Sequence, residues 1–132
     1  MPDEVRVPIN SDADIVEARQ RGRAFAAEIG FNGGTLTLIA TAISEIARNI
    51  VQYAQQGEIV MHWIQKVNKQ GIEIIAHDDG PGIPDISLAL QDGYSTRRSL
   101  GLGLPGTRRL MDEFDIVSNG EGTTVTIKKW LR

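Results

Sequence analysis

The stretch Asp78-Asp79-Gly80-Pro81-Gly82 stands where an apolar run stops and a long irregular segment begins. On its N-terminal side, Glu58 to Val67 and Gly71 to Asp78 are rich in apolar residues and are read as two strands buried on both faces. On its C-terminal side, the residues from Asp79 to Leu100 hold Gly80, Pro81, Gly82, Pro84 and Gly93 and show no periodicity. A loop of that length inside a compact domain is usually functional or mobile. A carboxylate at a strand end can accept a hydrogen bond from a ring amino group, and glycines let a flat ligand approach the backbone closely. Asp, Gly and Pro are also the ordinary residues of turns, so this segment alone leaves a plain strand terminator open.

Working back along the chain, the spacing predicts a helix from about Thr35 to Tyr53. Its apolar stripe is Leu36, Ile39, Ile43, Ile46/Ala47 and Ile50, at intervals of three and four. Glu45 and Asn49 are four residues apart and off that stripe, which puts a carboxylate and an amide on one side of the helix. An acidic side chain beside an amide oxygen suits a hydrated Mg2+ ion and an attacking nucleophile. Polar pairs on an outer helix face are more often merely solvated. Earlier still, Ser11 lies three before Asp14, the spacing of a capping box. It opens a helix with Ile15, Ala18, Gly22, Phe25 and Ile29 on one face, ending at Gly30, and Glu4 to Ile9 alternates as a short strand before it.

Working forward, Gly101-Leu102-Gly103-Leu104-Pro105-Gly106 precedes a helical pattern beginning near Pro105. Glycines at a helix start leave backbone N–H groups aimed at phosphate oxygens, where the helix dipole also favours negative charge. The segment matches G-x-G-x-x-G, but a dinucleotide fingerprint follows a strand directly, and here the polar loop Gln91 to Ser99 intervenes. No Gly-Lys-Ser/Thr of a Walker A loop is present, nor the His-Arg-Asp of eukaryotic-type kinases. A short strand at Phe114 to Val117 and a last strand from Thr123 to Trp130 complete the chain. Gly122-Thr123-Thr124 enters that last strand, with Thr123 as a hydroxyl near a base or simply as a good strand residue.

Composition narrows the classes. A chain of 132 residues with 41% hydrophobic content is sized for one domain, 1–132, with a real core. A net charge of -3 gives no global field for nucleic acid or an anionic membrane, so neither is expected as a partner. The absence of cysteine excludes disulfides, thiolate metal sites and cysteine nucleophiles. The start Met-Pro-Asp-Glu is not a secretory signal and no apolar stretch suffices to span a bilayer, so a cytoplasmic location is expected. His62 and His77 fall on predicted strands, where packed strand residues are expected.

Taken jointly, Glu45/Asn49, Asp78-x-Gly80-x-Gly82, Gly101-x-Gly103 and Gly122-Thr123 have the order and approximate spacing of the N box, G1 box, G2 box and final Gly-Thr of the GHKL ATPases. The chain resembles that superfamily over most of its length. Gyrase, Hsp90 and mismatch-repair members carry further domains for which there is no room here, and a sensor histidine kinase needs a helical pair bearing a phosphoacceptor histidine. Ala42-Ile43-Ser44-Glu45-Ile46-Ala47-Arg48-Asn49-Ile50, Asp79-Gly80-Pro81-Gly82-Ile83-Pro84-Asp85-Ile86, Gly106-Thr107-Arg108-Arg109-Leu110-Met111-Asp112-Glu113-Phe114 and Lys129-Trp130-Leu131-Arg132 look like the bacterial stressosome switch kinases.

That resemblance implies an α/β fold, an α+β two-layer (Bergerat) sandwich with helices on one face of a mixed sheet, and an ATP lid at about 84–103. It implies ATP and Mg2+ as cofactors, with Asn49 on the metal and Glu45 orienting or deprotonating the attacking hydroxyl. Asp78 would read adenine with Thr123 nearby, and Gly80 and Gly82 would make room for the base. The backbone at Gly101, Leu102 and Gly103 would hold phosphates as Tyr94 to Leu100 close, with Arg97 and Arg98 neutralising the transferred group. The activity implied is a protein serine/threonine kinase acting on STAS-domain scaffold proteins and, when released, activating a PP2C-type phosphatase through its regulatory domain. A weak homodimer is left open. An anti-sigma factor kinase shares every nucleotide motif, a nucleotide-gated binding module without catalysis is a reading from another class, and a Rossmann-type dehydrogenase is a remote third.

Overall fold

A computed structural model describes residues 4–82 and 103–132. In chain order the elements are β1 (Val5–Ile9), α1 (Asp12–Ile29), α2 (Gly33–Tyr53), β2 (Gly57–Lys66), β3 (Lys69–Asp78), α3 (Gly103–Leu110), β4 (Glu113–Asn119) and β5 (Gly122–Trp130). The strands form one sheet in the order β1-β2-β3-β5-β4. The helices pack on one face of it, which gives the expected two layers. Every strand pairing among the described residues is antiparallel, so the mixed sheet implied by the resemblance is not seen there.

The helices form where their apolar periodicity meets the sheet. Ile39, Ile43, Ile46, Ala47 and Ile50 of α2 are buried, facing Ile59 and Met61 of β2, Ile72, Ile74 and Ala76 of β3, and Val125 and Ile127 of β5 in one core. From α1, Ile15, Ala18, Phe25 and Ile29 enter the same core. Gly22 lets the two helices approach: a β-carbon there would overlap the Ile43 side chain. The C-terminus of α1 is closed by Gly30, at φ +127°, whose N–H reaches the carbonyls of Ala26 and Ala27. Its N-terminus departs from the capping-box expectation. Ser11 makes no side-chain cap hydrogen bond. Instead the Asp14 carboxylate accepts from the Asn10 N–H, one residue before the cap, at 2.8 Å and from the Ser11 hydroxyl at 3.4 Å, so the helix start is tied by Asp14 without either bond of the box.

The expectation that β2 and β3 are buried on both faces is corrected. Ile72, Ile74 and Ala76 are buried beneath the helices, whereas Glu73 is half-buried and His77 exposed on the other face. The open face nonetheless carries Val60, Ile64 and Ile75 among its polar residues, which blurs the alternation in the sequence. Val60 is 6% exposed there, shielded by its neighbours rather than by a second layer. This is the ordinary state of an antiparallel sheet with one face solvated.

The register at one end of the sheet sets the functional geometry. Gly57 pairs with Asp78, Asp78 with Thr123, and Thr123 with Ser118, a row across four strands. Side chains alternate along each strand, so Asp78 and Thr123 point to the face where Ala76, Val125 and Ile127 meet the helices two and four residues away.

Candidate functional site

The last turns of α2 cover that row. Ile46, Asn49, Ile50 and Tyr53 from the helix face Ala76, Asp78, Thr123 and Val125 from the strands across a narrow cleft. Apolar side chains from both layers and three polar ones thus converge at one place, the composition of a small-molecule site.

The polar groups are buried and incompletely satisfied. Asp78 is 6% exposed, and its Oδ1 accepts from the Gly80 N–H at 3.0 Å. A buried carboxylate with so few donors holds acceptor capacity for a ligand N–H. Thr123 is buried, and its Oγ1 shares a 2.7 Å hydrogen bond with Ser118 Oγ. The Asn49 side chain is 8% exposed, and its Nδ2 has no partner among the described residues. An orphaned buried amide costs stability unless function fills it.

Glu45 lies one turn earlier on α2. It does not line the cleft; its carboxylate pairs with Arg48 Nη1 at 2.9 Å, at the partly exposed edge of the helix. The structure therefore brings Asn49, Asp78 and Thr123 together and sets Glu45 beside them, held by a neighbour that sequence reasoning did not single out.

Gly80 and Gly82 have a physical reason within the chain itself. At Gly80 a β-carbon would stand 2.6 Å from the Ala54 β-carbon, and at Gly82, where φ is +82°, it would overlap the Asn119 carbonyl oxygen. The room is used by the chain itself, bringing the end of α2 and the β4–β5 turn against the Asp78 segment. Gly103 opens α3. Gly101, Leu102, Arg97, Arg98 and the segment Tyr94 to Leu100 lie outside the described residues, as does the lid apart from Gly103.

Several residues of the site were not legible beforehand. Ile46 and Ile50 read only as core stripe, and nothing marked Tyr53, Ala54 or Ser118. Thr107 of α3 is fully buried with an Oγ1 that lacks a partner among the described residues.

A wider cavity lies on the far side of the same strand ends, lined by Asn10, Gln56, Gly57, Glu58, His77, Asp79 and Gly80. Size does not make it the site. Asn49, Asp78 and Thr123 do not line it, and His77, far from being a packed strand residue, spends its ring nitrogens on Thr124 Oγ1 at 2.9 Å and Asp79 Oδ1 at 3.2 Å. His62 is also partly exposed, 3.6 Å from Glu4.

No group of three or more His, Asp or Glu suited to a metal occurs among the described residues. Mg2+ does not require one, since it keeps several waters and binds through one or two protein oxygens plus substrate phosphates. Asn49 has an amide oxygen to offer in that limited role, and the Asp78 carboxylate and Thr123 hydroxyl are groups that can pair with a purine edge.

Residues 9–129 match the histidine kinase-like ATPase domain family. The serine/threonine-protein kinase RsbT of Bacillus subtilis is 51% identical, with 100% of both chains covered. Anti-sigma F factors of Caldanaerobacter subterraneus and Halalkalibacterium halodurans are 33% and 32% identical over 86% of this chain and 83% and 82% of theirs. Among solved structures, the RsbU and RsbW domains of a Mycobacterium tuberculosis protein superpose with a TM-score of 0.71 at 18% identity, over 100% of this chain and 34% of that one. The histidine kinase domain of a blue-light-activated kinase from Erythrobacter litoralis gives 0.52 at 18% identity, over 89% and 59%. These two likenesses concern the fold alone.

Proposed function

We propose that this chain, which belongs to the histidine kinase-like ATPase domain family, binds Mg-ATP in the α2–β3–β5 cleft and passes the γ-phosphoryl group to a serine or threonine hydroxyl of a partner protein. It is a protein serine/threonine kinase, a reading supported by the full-length relationship to RsbT. The observation that carries the site is the convergence of Asp78, Thr123 and the orphaned amide of Asn49 in one cleft.

In this reading the free acceptor capacity of Asp78 takes the exocyclic amine of adenine, and Thr123 completes the edge. The ring lies between Ile46, Ile50 and Val125. Asn49 offers its amide oxygen to Mg2+, which when bound neutralises charge on the phosphate oxygens. Glu45, released from Arg48, orients or deprotonates the acceptor hydroxyl. The backbone at Gly101, Leu102 and Gly103 cradles phosphates, and Arg97 and Arg98 face the charge that develops during transfer.

For partners, we take STAS-domain substrate and scaffold proteins, with a PP2C-type phosphatase regulatory domain engaged on release, in the cytoplasm. No described helix is long and apolar enough to cross a membrane. A second reading is favoured by the anti-sigma F factors at 33% and 32% identity: capture of a sigma factor with phosphorylation of its STAS-domain antagonist.

The test is transfer of labelled γ-phosphate to a STAS-domain protein by the intact chain, Glu45→Ala and Asp78→Asn. Label on serine or threonine with the intact chain only is the expected result. Tight nucleotide binding with no transfer to any STAS-domain protein offered would replace the kinase reading with a nucleotide-gated binding module.

A further inference from the structure

Thr123 faces the cleft through a hydroxyl that can donate one hydrogen bond and accept two, so its meaning to a ligand depends on where its proton points. Across the β4–β5 ladder Ser118 is its direct partner, and the two hydroxyl oxygens lie 2.7 Å apart. The contact is held from outside the pair. A β-carbon on Gly82 would come 3.0 Å from Ser118 Oγ, so the glycine segment after Asp78 packs directly on the serine. Ser118 does not line the cleft.

The hydrogen bond between the two hydroxyls has two arrangements, since either oxygen can be the donor. If Thr123 donates to Ser118, the cleft meets only acceptors, the Asp78 carboxylate and a threonine lone pair. If Ser118 donates to Thr123, the Thr123 proton is free for the cleft, and the wall offers an acceptor beside a donor. Adenine presents the complement, the N6 amino donor beside the N1 acceptor. Guanine presents the reverse, an O6 acceptor beside an N1–H donor, and both of its atoms meet a like group.

Resting on the nucleotide reading of this cleft, we infer that Ser118 is a positioning residue for base choice: by donating to Thr123 Oγ1 it turns the threonine proton toward the base and makes the Asp78–Thr123 wall select adenine over guanine. Ser118 acts through Thr123 and touches no substrate. The hydrogen bond from Thr123 reaches N1 directly, since a bridging water could turn to suit either base. Removing the serine hydroxyl leaves Thr123 free to rotate, which weakens the donor to N1 and relaxes the penalty against N1–H of guanine.

The experiment measures ATP, GTP and 1-deaza-ATP binding with Mg2+ by calorimetry for the unaltered chain, Ser118→Ala and Ser118→Thr, and kcat and KM for ATP in protein phosphorylation. Expected are a loss of ATP affinity of roughly 3- to 10-fold in Ser118→Ala with GTP affinity unchanged or raised, the span of one hydrogen bond. The loss falls in KM and not in kcat, and Ser118→Thr restores it. The unaltered chain binds 1-deaza-ATP more weakly than ATP, a comparison that needs no variant to fold, and Ser118→Ala does not distinguish the two. An unchanged ATP-to-GTP ratio in Ser118→Ala, or equal binding of ATP and 1-deaza-ATP by the unaltered chain, overturns the role of Ser118 while leaving the cleft as the ATP site. Failure of the unaltered chain to bind ATP in preference to GTP overturns both.

Discussion

The carbonyl oxygen of Asn119 occupies the space where a β-carbon on Gly82 would stand, and Gly82 holds φ at +82°. The end of the Asp78 segment is thereby seated against the β4–β5 turn and on Ser118, while the β3–β5 register sets Thr123 beside Asp78.

Gly82→Ala therefore meets both a backbone clash and an unfavourable dihedral. A destabilisation of about 2 kcal/mol or more is expected, from a left-handed residue that also forces its neighbours apart. Urea unfolding of the variant checks it, and a stability within experimental error of the parent would contradict the packing described.

Asp78→Asn keeps shape but exchanges an acceptor for an amide. Loss of a hydrogen bond to a charged group, roughly 1.5 to 3 kcal/mol, corresponds to a fall in ATP affinity of about tenfold to a hundredfold. Calorimetric titration with Mg-ATP measures it, and unchanged affinity would remove Asp78 from the base-reading role.

Asn49→Leu separates stability from function. The apo chain should be no less stable, because the substitution deletes a buried amide nitrogen that has no partner among the described residues. Mg-ATP binding should weaken sharply while metal-free ADP binding changes little. A large loss of apo stability would mean that the amide is structural.

The sequence made the two-layer frame and the joint motif visible, and the structure separates what it could convey from what it could not. The stripes of α1 and α2 are periodic because one face of each helix meets the sheet, so Ile43 and Ile50 announced their burial. Apolar residues on the open face, Val60 and Ile75, carry no mark of which side they occupy, and β2 and β3 consequently read as covered on both faces. Asp78, Asn49 and Thr123 were legible through spacing. Ser118 and Tyr53 were not, because their relevance comes from strand register and helix placement, which are tertiary facts. Gly80 and Gly82 were legible as glycines that something approaches closely, but a sequence does not say that the Ala54 β-carbon and the Asn119 carbonyl stand against them.

Gln55 is the only non-glycine residue with positive φ, +69°, among the described residues, just past the end of α2. Its N–H reaches the Ile50 carbonyl at 2.9 Å. Because a left-handed conformation costs an L residue roughly 1 kcal/mol, Gln55→Gly should raise stability by up to about that amount. Thermal melting of the apo chain measures it, and a lowered midpoint would show that the glutamine side chain contributes more than the dihedral costs.

Asp112 couples the C-terminal strand to pH. Burial pushes its carboxyl pKa up, but the Trp130 N–H, Lys129 and Arg132 together outweigh burial and hold it below the ordinary value. A depressed folded pKa contributes stability that is present above the unfolded pKa, near 4, and is lost as pH falls through the folded value. Stability should decline below about pH 4, and Asp112→Asn should flatten that acid limb. An identical acid limb in the variant would assign the decline to other carboxylates.

Gly22 has one more consequence. Ile43 of α2 fits the notch that this missing side chain leaves in α1, two residues before Glu45 and six before Asn49 on the same helix. A slip of α2 along its axis by even one residue would drive the isoleucine out of the notch and into the bulk on either side. The helix that carries both polar residues is therefore pinned like a key in its ward before any nucleotide arrives, and the free energy of binding is not spent on setting its height.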